Sequence, residues 1–211
     1  MSYKIVMGID CSSTTIGVSV LAIDSNNVIK FIDVDYIKPI KDNDISIRLE
    51  DTRDKLLKLM EKYSPTHIGI EEIVPYMPGA SSANTIITLA VFNRMACLLA
   101  RDFLGSSPRL FNVMSIRHGL KLNKLLPKKE DIPDLVSQHL KINFPWRYNK
   151  KNNVMEESYD MADSVAVSLF YSLIIIGKCK EPITKAIKKA KAVARKKAKI
   201  KAEKKVKSNK K

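Results

Sequence analysis

Two apolar runs that each end on a carboxylate constrain this chain more than any other feature. The first, Lys4–Asp10 (KIVMGID), reads as a buried strand closing on Asp10. A turn of small hydroxyl residues follows, Cys11–Thr15. Then comes a second strand, Ile16–Ile23, in which Gly17 permits close backbone approach. The turn signal Asp24–Asn27 leads into a third strand, Val28–Ile37, so the first forty residues predict an antiparallel meander. The second carboxylate-terminated run, His67–Glu71 (HIGIE), lies beyond a predicted helix over Ile45–Tyr63 whose apolar positions Ile45, Leu49, Leu56, Leu59 and Met60 alternate with charge.

The remainder alternates in the same manner. Val74–Ser82, with two prolines and a glycine, predicts a loop. Ala83–Leu104 predicts a long, largely apolar helix, Arg109–Val113 a fifth strand, Lys128–Ile142 a helix and Ser158–Ile176 a final buried helix. Ser115–Leu126 carries no clear signal, and the polar stretch Phe144–Glu157 reads as a surface loop. Strands that meander and then alternate with helices make an α/β domain with a mixed sheet.

Charge divides the 211 residues into two parts. Lys178–Lys211 holds 16 Lys and Arg against 2 Glu, a net of +14, so the formal +15 leaves only +1 for the body. We therefore expect a domain over 1–177 and a basic Ala/Lys-rich tail over 178–211. The tail has no aromatic residue and few bulky apolar ones, which favours nucleic acid over a membrane surface as its partner. Three scattered cysteines, Cys11, Cys97 and Cys179, form neither a disulfide framework nor a CxxC pair. The apolar run Val165–Ile176 is too short for an ordinary membrane span. No secretory signal is visible, and a cytoplasmic protein without membrane association is the expectation.

The chemistry resides in carboxylates. If the strands ending on Asp10 and Glu71 are parallel neighbours, both acids emerge at one edge of the sheet, where α/β proteins place their sites. Asp160 and Asp163, three residues apart, share a face of the last helix. Oxygen ligands without His or Cys suit Mg²⁺, with Mn²⁺ able to substitute. Two such ions about 4 Å apart serve in-line phosphodiester hydrolysis by activating water and stabilising the leaving oxygen. His67, His118 and His139 are scattered and form no HxxxH pair.

The segments VMGIDCSSTTIGVSVL (6–21), HIGIEEIVPYMPGASSANTIITLAVFNRMACLLA (67–100) and YDMADSVAVSLFYSL (159–173) resemble the RuvC-type Holliday-junction resolvases of the RNase H-like superfamily. The resemblance implies an RNase H-like, five-stranded mixed sheet flanked by helices. It implies Asp10, Glu71, Asp160 and Asp163 as catalytic metal ligands, and a homodimer that places paired symmetric nicks in a four-way junction. Glu71 matches the family position better than its neighbour Glu72, and strand alternation sends the two to opposite faces. The family's frequent Pro-Gly after the first Asp is Cys11-Ser12 here. Tyr76, in the loop after Glu71, is a candidate wedge at the junction centre. Arg117, Lys121, Lys124, Lys128 and Lys129 form a second basic cluster for DNA, of which Arg117 and Lys128 match the family best. Ala83–Leu104 has more apolar residues than one buried stripe needs, and the excess suits the homodimer interface.

Other readings keep parts of this pattern. The substrate could be broader, as in a flap, branched-DNA or RNA–DNA hybrid nuclease. A non-catalytic junction-binding protein would not need all four acids. The phosphate loop of actin-like sugar kinases and ATPases also follows a Gly-Ile-Asp strand, but those proteins need two such domains and a second glycine-rich loop, and this chain has 7 glycines.

Overall fold

The computed structural model describes residues 3–12, 14–73, 83–123 and 125–180. Five strands form one sheet: β1 (Lys4–Cys11), β2 (Ile16–Ile23), β3 (Ile29–Ile37), β4 (His67–Glu71) and β5 (Arg109–Phe111). Their spatial order is β3-β2-β1-β4-β5. The β1–β2 and β2–β3 pairs are antiparallel, and β1–β4 and β4–β5 are parallel. This is the meander and mixed sheet that the sequence predicts. Among the described residues, five α-helices cover it: α1 (Ile45–Tyr63), α2 (Ala83–Leu104), α3 (Val113–Leu120), α4 (Ile132–Leu140) and α5 (Glu157–Ile175).

Strand alternation sorts the sheet into two faces. Met7, Ile9 and Cys11 of β1, Val18 and Val20 of β2, and Ile68 and Ile70 of β4 enter one core with Leu56 and Met60 of α1 and Phe92 and Ala96 of α2. The opposite core is built around α5, with Phe111, Ile116, Leu120, Val136, Met161, Val165 and Phe170. Gly8, Asp10, Gly17, Ser19, Gly69 and Glu71 therefore belong to the α5 side.

Small residues decide how closely α5 approaches. A β-carbon at Gly8 would lie 2.2 Å from the Ser164 carbonyl oxygen, and one at Gly17 would lie 2.1 Å from the Asp160 carbonyl oxygen. Both distances are to backbone, which cannot turn aside. Between them the Ser19 hydroxyl donates to the Ser164 carbonyl at 2.7 Å and lies 2.8 Å from the Ser168 hydroxyl. All three serines are fully buried, so these hydrogen bonds satisfy groups that would otherwise be costly to bury. Gly17→Ala is expected to destabilise the fold by about 1–3 kcal/mol, the usual range for overpacking. Urea denaturation measures it, and an unchanged midpoint would show that α5 slides away freely.

Three boundaries differ from expectation. The fifth strand stops at Phe111 rather than Val113, because the Asn112 side chain accepts the Met114 N–H and starts α3. The segment Lys128–Ile142 is not one helix: a 3₁₀ turn over Lys129–Asp131 precedes α4, with Pro133 confined to the first α-helical turn, where its missing N–H costs nothing. Phe144–Glu157 contains an antiparallel bridge, Tyr148 to Val154, rather than loop alone.

The compact body runs through Lys180, and residues 181–211 form a separate unit. Lys178 and Cys179 both donate their N–H to the Leu173 carbonyl, which ties them to the body rather than the tail. Among the described residues, by length and composition, α2 and not the Val165–Ile176 run is apolar enough to cross a membrane, with a mean hydropathy of 1.5. One side of α2 is nonetheless core: Phe92, Ala96 and Ala100 are fully buried.

Candidate metal centre

Parallel pairing of β1 and β4 brings the two strand-end acids together. The ladder runs Val6–His67, Met7–Ile68, Gly8–Gly69 and Ile9–Ile70, so Asp10 and Glu71 follow side by side. Both belong to the sheet face that α5 covers, and α5 carries Asp160 and Asp163 in its first two turns. Carboxylate oxygens of Asp10, Asp160 and Asp163 all lie within 4.8 Å of one another. Glu71 joins them as a charge neighbour of Asp10 and Asp163 and as part of the same cleft of about 340 Å³.

Glu71 and Glu72 stand differently around the cleft. Glu71 follows Gly69, whose β-carbon position faces Val167 and Tyr171 of α5, so its carboxylate turns toward Asp163. Glu72 lies past the strand end, donates its N–H to the Phe111 carbonyl at 2.8 Å and is exposed at the cleft rim.

Burial of so many acids shows in their protonation. Burial, then the charges of Glu71, Asp163 and Asp160, hold Asp10 well above the ordinary carboxylate range, with Lys129 opposing. Glu71 is raised to about 7 by burial and Asp163, against the pull of Arg117 and Lys129. Asp163 is raised to about 6 by burial, again opposed by Lys129 and Arg117. Burial also raises Asp160, with Lys129 opposing.

Two cations enter this cleft. The Lys129 Nζ lies 3.3 Å from Asp160 Oδ1 and 3.6 Å from Asp163 Oδ2. Burial works against its ammonium, but Asp163, Asp160 and Asp10 outweigh burial and keep it charged. Arg117 of α3 lines the same cleft, and its buried Nε has no hydrogen-bond partner among the described residues. Four carboxylates outnumber the two cations, so the cleft gathers excess negative charge as its acids ionise, and a bound cation would relieve it. The all-oxygen donor set fits a hard ion.

The rest of the predicted basic cluster stands apart. Lys128 heads the 3₁₀ turn, its N–H donating to Asp131 Oδ2 at 2.8 Å, and Lys121 caps α3 through its own N–H to the Arg117 carbonyl. Neither lines the cleft, so Lys129 takes the place beside the acids that Lys128 was expected to hold. Tyr76 and Lys124 lie outside the described residues.

Asn93 is the functional neighbour that sequence reasoning missed. It is 1% exposed on α2, donates from Nδ2 to the Glu71 carbonyl at 2.9 Å and accepts from the Cys97 thiol at 3.7 Å. A lone amide on the buried side of an apolar helix was the available signal, because a buried amide needs a partner. It fixes the backbone of the residue that contributes the fourth carboxylate.

Residues 6–105 match the family model for the crossover junction endodeoxyribonuclease RuvC. Among solved structures, Thermus thermophilus RuvC in complex with a Holliday junction substrate aligns with a TM-score of 0.62 at 15% identity, covering 83% of this chain and 97% of that one. Another Thermus thermophilus RuvC structure gives 0.60 at 18% identity, covering 82% and 97%. The yeast mitochondrial Holliday junction resolvase gives 0.56 at 19% identity, covering 79% and 77%. No curated protein sequence matches the chain. At these identities the structural likeness speaks for the fold, which is RNase H-like. Sheet order and helix placement give this chain the fold of the RuvC structures, and residues 6–105 resemble the RuvC family.

Proposed function

We propose that this protein is a divalent-metal-dependent DNA endonuclease that resolves four-way junctions as a homodimer. The observation that carries the proposal is the convergence of Asp10, Asp160 and Asp163 within 4.8 Å, with Glu71 alongside, on a RuvC-like fold. Asp10, Glu71, Asp160 and Asp163 would hold Mg²⁺ or Mn²⁺. Bound there, such ions supply a nucleophile from water at neutral pH and stabilise charge on the leaving 3′ oxygen.

The protein's own residues do the remaining work. Lys129 and Arg117 carry positive charge into the acidic cleft, so a substrate phosphate meets both a donor pair and reduced repulsion from the carboxylates. Lys121 and Lys128 carry further positive charge near α3 and the 3₁₀ turn, and Lys124 and Tyr76, outside the described residues, are proposed as a DNA contact and the wedge. Junction binding is supported by the Holliday junction substrate held in the Thermus thermophilus RuvC complex, whose fold this chain shares.

Dimerisation is supported by the outward side of α2. Ile87 and Leu98 are 60% and 59% exposed. Together with Ala90, Val91 and Met95 they line a shallow apolar groove of about 670 Å³. A second copy of α2 against this face would bury it and place two clefts on one junction.

The direct test is a Mg²⁺-dependent cleavage panel: four-way junction, flap, plain duplex and RNA–DNA hybrid. Paired symmetric nicks in the junction alone are expected. Preferential cutting of the hybrid or the flap would replace the junction assignment while keeping the metal chemistry. Removing residues 181–211 is expected to weaken junction binding and to flatten the slope of log affinity against log salt. An unchanged slope in filter binding would remove the tail from the grip on DNA.

A further inference from the structure

The stretch between α4 and α5 is a built hairpin, and the proposed reaction leaves it unused. Tyr148 pairs with Val154, and the Met155 N–H donates to the Arg147 carbonyl at 2.9 Å. Asn149 closes the tip: its carbonyl accepts the Asn152 N–H, its N–H donates to the Asn153 carbonyl, and its Oδ1 accepts the N–H groups of Lys151 and Asn153 at 2.9 and 3.0 Å. Asn152 takes the left-handed conformation at φ 60°, which Asn tolerates better than most residues.

The base of the hairpin is fixed to the same helical turn that presents the metal-centre acids. The Arg147 N–H donates to the Ser158 hydroxyl at 3.0 Å, and that hydroxyl lies within 3.3 Å of the Arg147 carbonyl. Ser158 is fully buried and sits two residues before Asp160. An edge-to-face series of rings, Phe144 to Trp146 to Tyr159, adds a second attachment. The base therefore has a fixed place relative to the cleft.

The hairpin itself carries only positive charge, up to Met155, after which Glu156 and Glu157 begin the approach to α5. Residues 141–155 contain Lys141, Arg147, Lys150 and Lys151 and no acid, whereas the whole body of 177 residues nets only +1. Residues 147–154 are all exposed. Among the described residues no ion pair involves Arg147, Lys150 or Lys151, while Lys30, Lys38, Lys55 and Lys62 each have an acidic partner. The tip residues Asn149, Asn152 and Asn153 are neutral hydrogen-bonding groups, and the hairpin's exposed apolar residues, Tyr148 and Val154, sit at its bridge rather than at its tip.

We propose that the 147–154 hairpin is a phosphate-contacting arm that grips the nucleic-acid backbone beside the cleft through Arg147, Lys150 and Lys151. The proposal rests on the reading of the protein as a nuclease. From Arg147 to Lys150 is about 10 Å of extended chain, roughly the axial length of three phosphates along one strand. Anchored at Ser158, two residues before Asp160, the arm offers phosphate contacts in addition to those at Lys129 and Arg117.

The test compares two double variants of the full chain, K150A/K151A on the arm and K58A/K62A near the end of α1. The second pair precedes the strand start opposite the acid end of β4, so it controls for net charge. Binding of a four-way junction and a plain duplex is measured without divalent metal across 50–200 mM salt. For the arm variant the slope is expected to fall by about 1.8, with about tenfold or greater loss of affinity at 0.1 M salt. The control is expected to keep the wild-type slope. Equal slopes in both doubles and wild type overturn the arm. Wild-type cleavage is scored separately. A wild type that binds without cutting, with a lowered slope in K150A/K151A, overturns the nuclease reading and keeps the arm. A cutting wild type with an unchanged slope does the reverse, and a wild type that binds no nucleic acid overturns both.

Discussion

Replacing Asp10 by Asn is expected to cut the rate of metal-dependent junction cleavage on the order of 1,000-fold or more while leaving junction binding near the wild-type level. Asp10 is the acid shared by the closest carboxylate cluster, and its neighbours on both sides are other acids. The amide keeps the shape but loses the charge, so the loss falls on metal holding rather than on packing. The same substitution is expected to raise the melting temperature of the metal-free protein. Burial and three neighbouring acids disfavour the Asp10 carboxylate, and a neutral amide removes that repulsion. Each kcal/mol gained corresponds to about 2–4 °C for a body of this size. Lost cleavage with a raised melting temperature separates a metal-site defect from misfolding. A variant that still cuts would show that Asp10 is not a required ligand.

The proposed dimer bears on this result because each cleft is built from one chain. Asp10, Glu71, Asp160, Asp163, Arg117 and Lys129 all line a cleft within a single copy. A mixed dimer of wild-type and Asp10→Asn chains should therefore nick one strand and leave the other intact. The groove on α2 lies on the opposite face of the sheet from α5, so a partner seated there need not contact the acids.

How far the sequence revealed this site follows from the kind of signal each residue leaves. Asp10 and Glu71 were readable because each ends an apolar run, and a strand end predicts where a side chain emerges. Asp160 and Asp163 were readable because helical spacing alone puts them on one face. Lys129 was harder to place. Its position depends on a 3₁₀ turn whose existence turns on Pro133, and a continuous helix would aim Lys128 and Lys129 differently. Asn93 and Asn112 left weaker traces, since a single polar residue in an apolar segment does not say which backbone group it will meet. Gly17 showed that something approaches closely. Only the packed structure identifies it as the Asp160 backbone and adds Gly8 against the Ser164 carbonyl.

Without divalent metal, the acid cluster should make the protein less stable as pH rises, a reversal of ordinary acid denaturation. Glu71 moves from an ordinary 4.5 to about 7 on folding, and Asp163 from 3.8 to about 6. Between those limits the folded state holds protons that the unfolded chain has released. Stability then falls with increasing pH, because it rises only where the unfolded state binds more protons. For Glu71 alone the change is on the order of 3 kcal/mol, and Asp163 shares part of the same repulsion rather than adding a full second contribution. Asp24, Asp51 and Glu157 are lowered by hydrogen bonds to Val28, Lys55 and Lys38 respectively, and they act in the opposite sense, but their stabilisation is lost chiefly below pH 4.5. His67, lowered by burial, also opposes the trend below its ordinary 6.5, and a His67→Phe background removes that contribution. Urea denaturation in EDTA at pH 5.5 and pH 8 should therefore give the higher stability at pH 5.5. Mg²⁺ or Mn²⁺ binds the deprotonated acids, so added metal should stabilise most at pH 8 and narrow the gap. Asp163→Asn should narrow it without metal. Equal stability at the two pH values in EDTA would mean that the four carboxylates do not repel one another in the folded protein, and the metal centre would lose its electrostatic basis.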